Sequence, residues 1–356
     1  MKGVIFKGNC ELELVDFPDP RPGTNDVIVE IRASGMCGSD LRFYRPPSGA
    51  ALAAMGFKSM AQLGLDDSQG VIAGHEPAGI IAAVGSNVDE RHFRVGDRVM
   101  VYHYDGCHVC DHCRTGWTQM CDEGAFIFGA TRHGGHAHYM KAPASAVLHL
   151  PEELSFAAGA AISCGTGTAY GALVRLDLSA RDTLAVVGLG PVGQAAVQLA
   201  AAMGVRVIGV DISSERAALA KDFGAAETVD ASRDDPIEAI MQFSGGKGVS
   251  RALDASCTLP GRQAAVRGTG KWGRVALVGE GGELQVEVSR DILRKQLTIF
   301  GSYTFSNVWQ ADCARFIADH GVDVDRIFTN RWRLEQAEAA YVEFNKQAAG
   351  KSVIEF

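Results

Sequence analysis

Leu184-Ala185-Val186-Val187-Gly188-Leu189-Gly190-Pro191-Val192-Gly193 is the run on which the reading of this chain turns. Its apolar start, closed by glycine, reads as a buried strand, and the alanine-rich stretch 194–203 behind it reads as a helix. The glycines have separate tasks. Gly188 permits the tight turn, Gly190 lets the backbone approach a pyrophosphate, and Gly193 lets helix and strand pack closely. Pro191 and Val192 open the helix, whose N-terminus faces the phosphates. A glycine-rich turn by itself often only joins two elements. Here Asp211 closes the next strand pattern, 206–210, where its carboxylate can accept from adenosine ribose hydroxyls and repel a 2′-phosphate. The run therefore reads as a dinucleotide site favouring NAD over NADP. Arg216 leaves NADP open, and the plain alternative for Asp211 is a helix N-terminal charge.

Strand patterns at 184–187, 206–210, 251–254 and 273–278 alternate with helical patterns at 194–203 and 215–223. This rhythm predicts an α/β fold with a doubly wound parallel sheet. Before about residue 150 the texture differs. Short β-rich runs at 27–31, 79–84 and 98–101 sit between glycine- and proline-bearing turns, as in a small barrel or sandwich. Residues 1–16 alternate apolar and polar like a strand, and the last fifty or so residues fit either region.

With 356 residues and 47% hydrophobic composition the chain suits two packed domains. A net charge of −8 argues against nucleic acid or an anionic membrane as partner. The uncharged stretch 183–205 is broken by glycines, a proline and two glutamines, and reads as strand, turn and helix rather than a membrane span. No cleavable leader pattern opens the chain, and free thiols fit a reducing compartment, so the cytoplasm is expected.

Cys107, Cys110, Cys113 and Cys121 follow a Cys-x2-Cys-x2-Cys-x7-Cys spacing that can close four thiolates on one ion, at Zn–S distances of about 2.3 Å. Ferredoxin clusters place the fourth cysteine nearer and before proline, which argues against iron–sulfur. Disulfides suit small secreted domains. A structural zinc remains the expectation, with His108 and His112 not needed as ligands. Four sulfurs leave no position for substrate, so the chemistry must lie elsewhere.

Cys37, in Gly35-Met36-Cys37-Gly38-Ser39-Asp40, His75, in Gly74-His75-Glu76, and Cys164, in Ser163-Cys164-Gly165-Thr166-Gly167-Thr168, are individually ordinary. Together with Val95-Gly96-Asp97-Arg98-Val99, the four-cysteine run and the glycine fingerprint, in that family's order, the chain resembles the zinc-dependent alcohol and polyol dehydrogenases of the medium-chain dehydrogenase/reductase family. The resemblance covers nearly the whole chain. It implies a GroES-like β-rich catalytic domain (1–152 and 303–356, with a structural zinc lobe at about 105–123) and a Rossmann domain (153–302), with the active site in the cleft. It also implies a catalytic zinc on Cys37, His75 and Cys164, with Glu76 as a neighbouring or transient ligand. Asp40 would orient His75, Ser39 would relay the substrate proton, and Thr168 would lie near the nicotinamide. Two zinc ions per chain, NAD, a small alcohol or ketone substrate and a homo-dimer or homo-tetramer complete the expectation.

A formaldehyde- or threonine-type dehydrogenase of the same family is the alternative; a non-catalytic dinucleotide-binding or redox-sensing protein is the alternative of another class. Two departures stand out. Arg42 occupies the position where many relatives carry a proton-relaying histidine, and arginine does not deprotonate. The interval between Cys37 and His75 is also long, with the surplus at 45–70. Its Ala- and Met-rich part, 48–64, is expected to be a short helical lid beside the substrate cleft or a tolerated surface or oligomer-contact insertion. His133-Gly134-Gly135-His136-Ala137-His138 reads as strand and cleft edge rather than a third metal site. Cys10, Cys257 and Cys313 are expected to be buried thiols.

Overall fold

The computed structural model of the chain describes residues 1–56, 70–347 and 350–356. It divides into two units: Met1–Cys164 with Ser306–Ala318 and Phe328–Phe356, and Gly165–Phe305 with Asp319–Ile327.

The first unit opens with β1 (Lys2–Gly8) and β2 (Glu11–Asp16), an antiparallel hairpin. The alternating pattern at 1–16 is thus two strands, because Gly8, Asn9 and Cys10 all take positive φ and reverse the chain. Next come β3 (Asp26–Met36), β4 (Glu76–Val84), β5 (Arg98–Val101), β6 (Tyr104–Asp105), β7 (Phe126–Ile127), β8 (Tyr139–Pro143) and β9 (Val147–His149). Val27, Val29, Ile31, Ile81, Val99, Val101 and Met140 are buried together between these strands. Each such side chain contributes about 1.5–3 kcal/mol of hydrophobic stabilisation.

The second unit contains β10 (Thr183–Val187), β11 (Arg206–Asp211), β12 (Glu227–Asp230), β13 (Val249–Asp254), β14 (Thr269–Leu277) and β15 (Thr298–Gly301). They pair in parallel in the order β12-β11-β10-β13-β14-β15. The strand order reverses beside β10, the place where open α/β sheets bind ligands. The helices between strands start on local signals. Ser213 accepts from Arg216 N, and Asp235 accepts from Ile237 N and Glu238 N, each satisfying donors the helix leaves open.

The chain then returns to the first unit through the helix Asn307–His320, β16 (Phe328–Trp332), the helix Ala337–Asn345 and β17 (Lys351–Glu355). The large sheet there runs β16-β17-β3-β4-β5-β9, with β8 also paired to β3. Both units match the expected fold class: a β-rich unit of mostly antiparallel strands and a doubly wound parallel sheet.

The unit limits differ from those read in the sequence. The first unit runs on through Cys164, because the helix Phe156–Ile162 packs on β3, β4 and β5. The segment Asp319–Ile327 joins the second unit, where Gln198 Nε2 donates to Asp323 O at 3.0 Å and Arg326 stacks on Phe223. Within the 45–70 surplus, Ala50–Ala54 is helical. Of the expected lid, 48–64, residues 57–64 lie outside the described residues. Among the described residues no helix is long and apolar enough to cross a membrane.

Candidate functional site

The antiparallel register of β3 and β4 sets Gly35 opposite Glu76, so the chain leaving β3 at Cys37 meets the chain entering β4 at His75. The approach is close. A Cβ on Gly35 would fall 2.0 Å from Glu76 Oε2, so a side chain here would push the Glu76 carboxylate aside. The helix Phe156–Ile162 delivers Cys164 to the same place. One donor atom each from Cys37, His75, Glu76 and Cys164 lies within 4.8 Å of the others. Two sulfurs and a histidine nitrogen are the donor chemistry of a zinc site that keeps one position open.

Asp40 organises this cluster. Its Oδ1 accepts from His75 Nδ1 at 2.8 Å and its Oδ2 from the Cys37 N–H at 2.8 Å. His75 therefore carries its hydrogen on Nδ1 and offers Nε2, 3.2 Å from Ser39 Oγ, to the cluster. A hydrogen bond from Cys164 holds the Cys37 thiol well below its ordinary pKa, and the same bond pushes Cys164 up. Burial pulls His75 down, but Asp40 and Cys37 outweigh it and raise its pKa well above the usual value, so a metal taking Nε2 would displace a hydrogen there.

Glu76 is wholly buried against Lys351, itself 1% exposed. Lys351 Nζ donates to Glu76 Oε1 at 2.8 Å and to Met36 O at 3.1 Å. Burial raises the Glu76 carboxyl to about 7, although Lys351 opposes the rise. His103 stands beside the cluster, its ring 5.4 Å from that of His75, and its Nδ1–H donates to Ser163 O at 2.6 Å, next to Cys164. Burial drives His103 down to about 3, so it is neutral.

The four lobe cysteines form the second group, again with donor atoms within 4.8 Å of one another. All are free thiols rather than disulfides. Cys107 N donates to Cys121 Sγ at 3.3 Å and Cys110 N to Cys107 Sγ at 3.4 Å. Backbone donors, that of Asp122 foremost, lower Cys110 to about 7, whereas burial pushes Cys113 up to about 12. His108 turns to Asp105 at 2.7 Å and His112 to Asp122 at 3.7 Å, so neither joins the sulfurs. Trp117 packs edge-on to Trp309 at 4.9 Å and ties the lobe to the helix Asn307–His320. Among the described residues these two groups are the ones able to hold a metal through three or more His, Cys, Asp or Glu side chains.

In the second unit the glycine fingerprint joins β10 to the helix Pro191–Ala202, with Gly190 at its N-cap and Pro191 in its first turn. Gly188 has φ +89°, and a Cβ on Gly193 would fall 1.9 Å from Gly188 O. Around Gly190 nothing lies within 4 Å of a would-be Cβ, which leaves open surface at the helix N-terminus. Asp211 Oδ2 accepts from Leu189 N at 2.6 Å and Oδ1 from Ser213 N at 2.9 Å, which brings the carboxylate to the turn. Arg216 Nη1 lies 3.9 Å from Asp211 Oδ2. Thr168 is buried in the first turn of the helix Gly165–Leu176.

The histidine-rich run makes no metal group. His133 Nδ1 accepts from Ile72 N, His138 Nδ1 faces Lys2 N, and His136 is fully buried with its pKa driven down to about 4 by burial. Arg42 is exposed on the helix Leu41–Tyr44. Of the three unassigned thiols only Cys313 is buried; Cys10 and Cys257 are exposed because both sit in turns at positive φ. Sequence reasoning missed Lys351, Tyr341, Ser34 and His103. No spacing signals them: Lys351, Tyr341 and His103 come from distant segments, and Ser34, though near Cys37 in sequence, acts through His136.

Two metal-donor groups on a GroES-like unit, in a chain that also carries a Rossmann sheet with an open glycine turn, define the metal-binding dehydrogenase class. Residues 23–152 match the alcohol dehydrogenase GroES-like domain and residues 191–319 the zinc-binding dehydrogenase domain. The chain is 39% identical to the "Uncharacterized zinc-type alcohol dehydrogenase-like protein YphC" of Escherichia coli (strain K12), covering 100% of this chain and 99% of that protein. It is 29% identical to sorbitol dehydrogenase of Bacillus subtilis (strain 168), over 96% of this chain and 92% of the relative. The crystal structure of galactitol-1-phosphate dehydrogenase from Escherichia coli superposes with a TM-score of 0.87 at 26% identity, covering 100% of both chains. This chain belongs to the zinc-type alcohol dehydrogenase family, and is an alcohol dehydrogenase-like oxidoreductase.

Proposed function

We propose that the protein is a zinc-dependent, NAD(H)-linked dehydrogenase that interconverts a secondary alcohol or polyol and the matching ketone. The observation that carries this reading is the convergence of Cys37, His75, Glu76 and Cys164 on one point, with Asp40 fixing the His75 ring. A zinc ion on Cys37, His75 and Cys164 would supply Lewis acidity toward the substrate oxygen, and NAD at the glycine turn would supply the hydride acceptor.

The chain's own residues do the rest. Ser39 Oγ, beside His75 Nε2, takes the hydroxyl proton during oxidation as its own O–H hydrogen passes to solvent water, and the transfers reverse during reduction. Asp40 holds His75 in the tautomer that leaves Nε2 free of hydrogen. Glu76 stays buried on Lys351, a carboxyl close enough to serve as an alternate ligand. The onward path of the proton from Ser39 does not run through residue 42, because a guanidinium keeps its protons. On the second unit, Asp211 receives the adenosine ribose and the N-terminus of the helix Pro191–Ala202 receives the pyrophosphate.

Relatives named for sorbitol and for L-threonine 3-dehydrogenation bracket the substrate question. The decisive assay is a panel of secondary alcohols, polyols, formaldehyde and threonine with NAD and NADP, read by cofactor absorbance alongside zinc analysis. Two zinc ions per chain and NAD-linked polyol or secondary-alcohol turnover are expected. One zinc per chain and no turnover would favour a non-catalytic protein.

A further inference from the structure

Four hydrogen bonds run in series through the first unit. Ser34 Oγ lies 2.8 Å from His136 Nδ1, and His136 Nε2 lies 2.8 Å from the Tyr341 hydroxyl. That hydroxyl lies 3.2 Å from Asp40 Oδ2, and Asp40 Oδ1 lies 2.8 Å from His75 Nδ1. Ser34, His136 and Tyr341 are 0% exposed and Asp40 3%, so no bulk water competes along the path.

The polarity of the path follows from valence. Asp40 only accepts, so Tyr341 spends its one O–H on Oδ2, and its oxygen must accept from His136 Nε2–H. A neutral imidazole protonated at Nε2 has an acceptor at Nδ1, which takes the Ser34 hydroxyl hydrogen. The tautomer is assigned from this network. Every donor on the path therefore points toward Asp40.

We propose that Ser34, His136 and Tyr341 are positioning residues that lock the Asp40 carboxylate, and through it both the His75 ring and the Cys37 backbone, in the arrangement that receives the metal. The proposal rests on the reading of Cys37, His75 and Cys164 as ligands. Asp40 needs outside support because it serves two ligands at once, His75 through Oδ1 and Cys37 N–H through Oδ2. A carboxylate held at only those two points can turn, and each turn moves a ligand. The Tyr341 hydroxyl is the third point. It comes from the helix Ala337–Asn345, far along the chain, and Phe6 and Tyr44 pack the ring at 4.9 and 5.3 Å between centroids. His136 braces the ligand turn a second way. Its N–H donates to Ala73 O at 2.9 Å, and Gly135 N donates to Gly74 O at 2.7 Å. The histidine-rich run thus serves the metal site from behind.

Transfer of zinc from the full-length, zinc-loaded protein to a colorimetric chelator gives one affinity for each site, and a Cys37→Ala variant identifies which belongs to the Cys37 cluster. Tyr341→Phe keeps the ring and removes only the hydroxyl. It is expected to weaken zinc at that cluster about tenfold, the lower end of the effect of outer-shell partners, and to leave the four-cysteine site unchanged. His136→Gln, which still presents an N–H toward Tyr341, should keep the wild-type affinity. His136→Asn, too short to reach it, should behave like Tyr341→Phe. Unchanged zinc affinity in Tyr341→Phe, or identical behaviour of the Gln and Asn variants, overturns the proposal. A wild-type protein holding zinc only at the four cysteines defeats the functional reading instead, and the positioning role with it.

Discussion

The two metal-donor clusters share an element and almost nothing else. The lobe gathers four cysteines from one short stretch, Cys107 to Cys121, and its sulfurs are supported by neighbouring backbone N–H groups. The other gathers Cys37, His75, Glu76 and Cys164 from three separated segments, and buried side chains from still further along the chain support it. Four thiolates make a closed site; two thiolates and an imidazole leave a place for substrate. A locally built cluster can be saturated cheaply, whereas an open one must be held by the tertiary structure because its ligands do not complete each other.

That contrast can be broken experimentally, beginning where the effect is greatest. Cys164→Ala should lower kcat by about a thousandfold or more, the equivalent of several kcal/mol of Lewis-acid stabilisation, while zinc analysis still finds the lobe metal. Next in size is Ser39→Ala. Loss of its proton transfer should cost about a hundredfold in kcat with zinc content unchanged, and an undiminished rate would remove Ser39 from the mechanism.

Lys351→Met tests the scaffold rather than the chemistry. It strands Glu76 in a buried site and should destabilise the first unit by about 3 kcal/mol at neutral pH, read by denaturant unfolding. Acid should act on the same scaffold. His136 is neutral when folded, with a pKa of about 4 against 6.5 ordinarily, so the unfolded chain binds the extra proton as pH falls through that window. Stability is then present above about 6.5 and lost on the way down to 4, amounting to about 2 kcal/mol between pH 7 and pH 5. In His136→Gln that part of the acid sensitivity should vanish. Smallest of all should be the effect of Cys110→Ser on chemistry. The lobe should lose its zinc and the melting temperature should drop, but kcat at low temperature should stay within about twofold, since a closed site contributes folding energy rather than catalysis. A collapse of kcat there would erase the distinction between the clusters.

Legibility in the sequence follows the same divide. The strand–glycine–helix run at 184–202 and the four lobe cysteines could be read directly, because each is specified by neighbours in sequence and by local geometry. The strand patterns in the two units also emerged as elements near their expected places. Cys37, His75 and Cys164 were found by family resemblance, not by spacing. The chain limits of the units were displaced by packing. The helix Phe156–Ile162 looks like the start of the α/β region in sequence, yet it lies on β3, β4 and β5. The hairpin at Lys2–Asp16 read as one strand because alternation continues on both sides of its turn.

The sequence by itself determined the two architectures, the closed four-sulfur lobe and the nucleotide turn, since periodicity, glycine geometry and short-range ligand spacing are local properties. Only the tertiary structure decided that Lys351 would cover Glu76, that Tyr341 and His136 would stand behind Asp40, and that His103 would hold the carbonyl beside Cys164. Those pairings span up to hundreds of positions along the chain. They exist because burial leaves each polar group no partner but the one the fold brings to it.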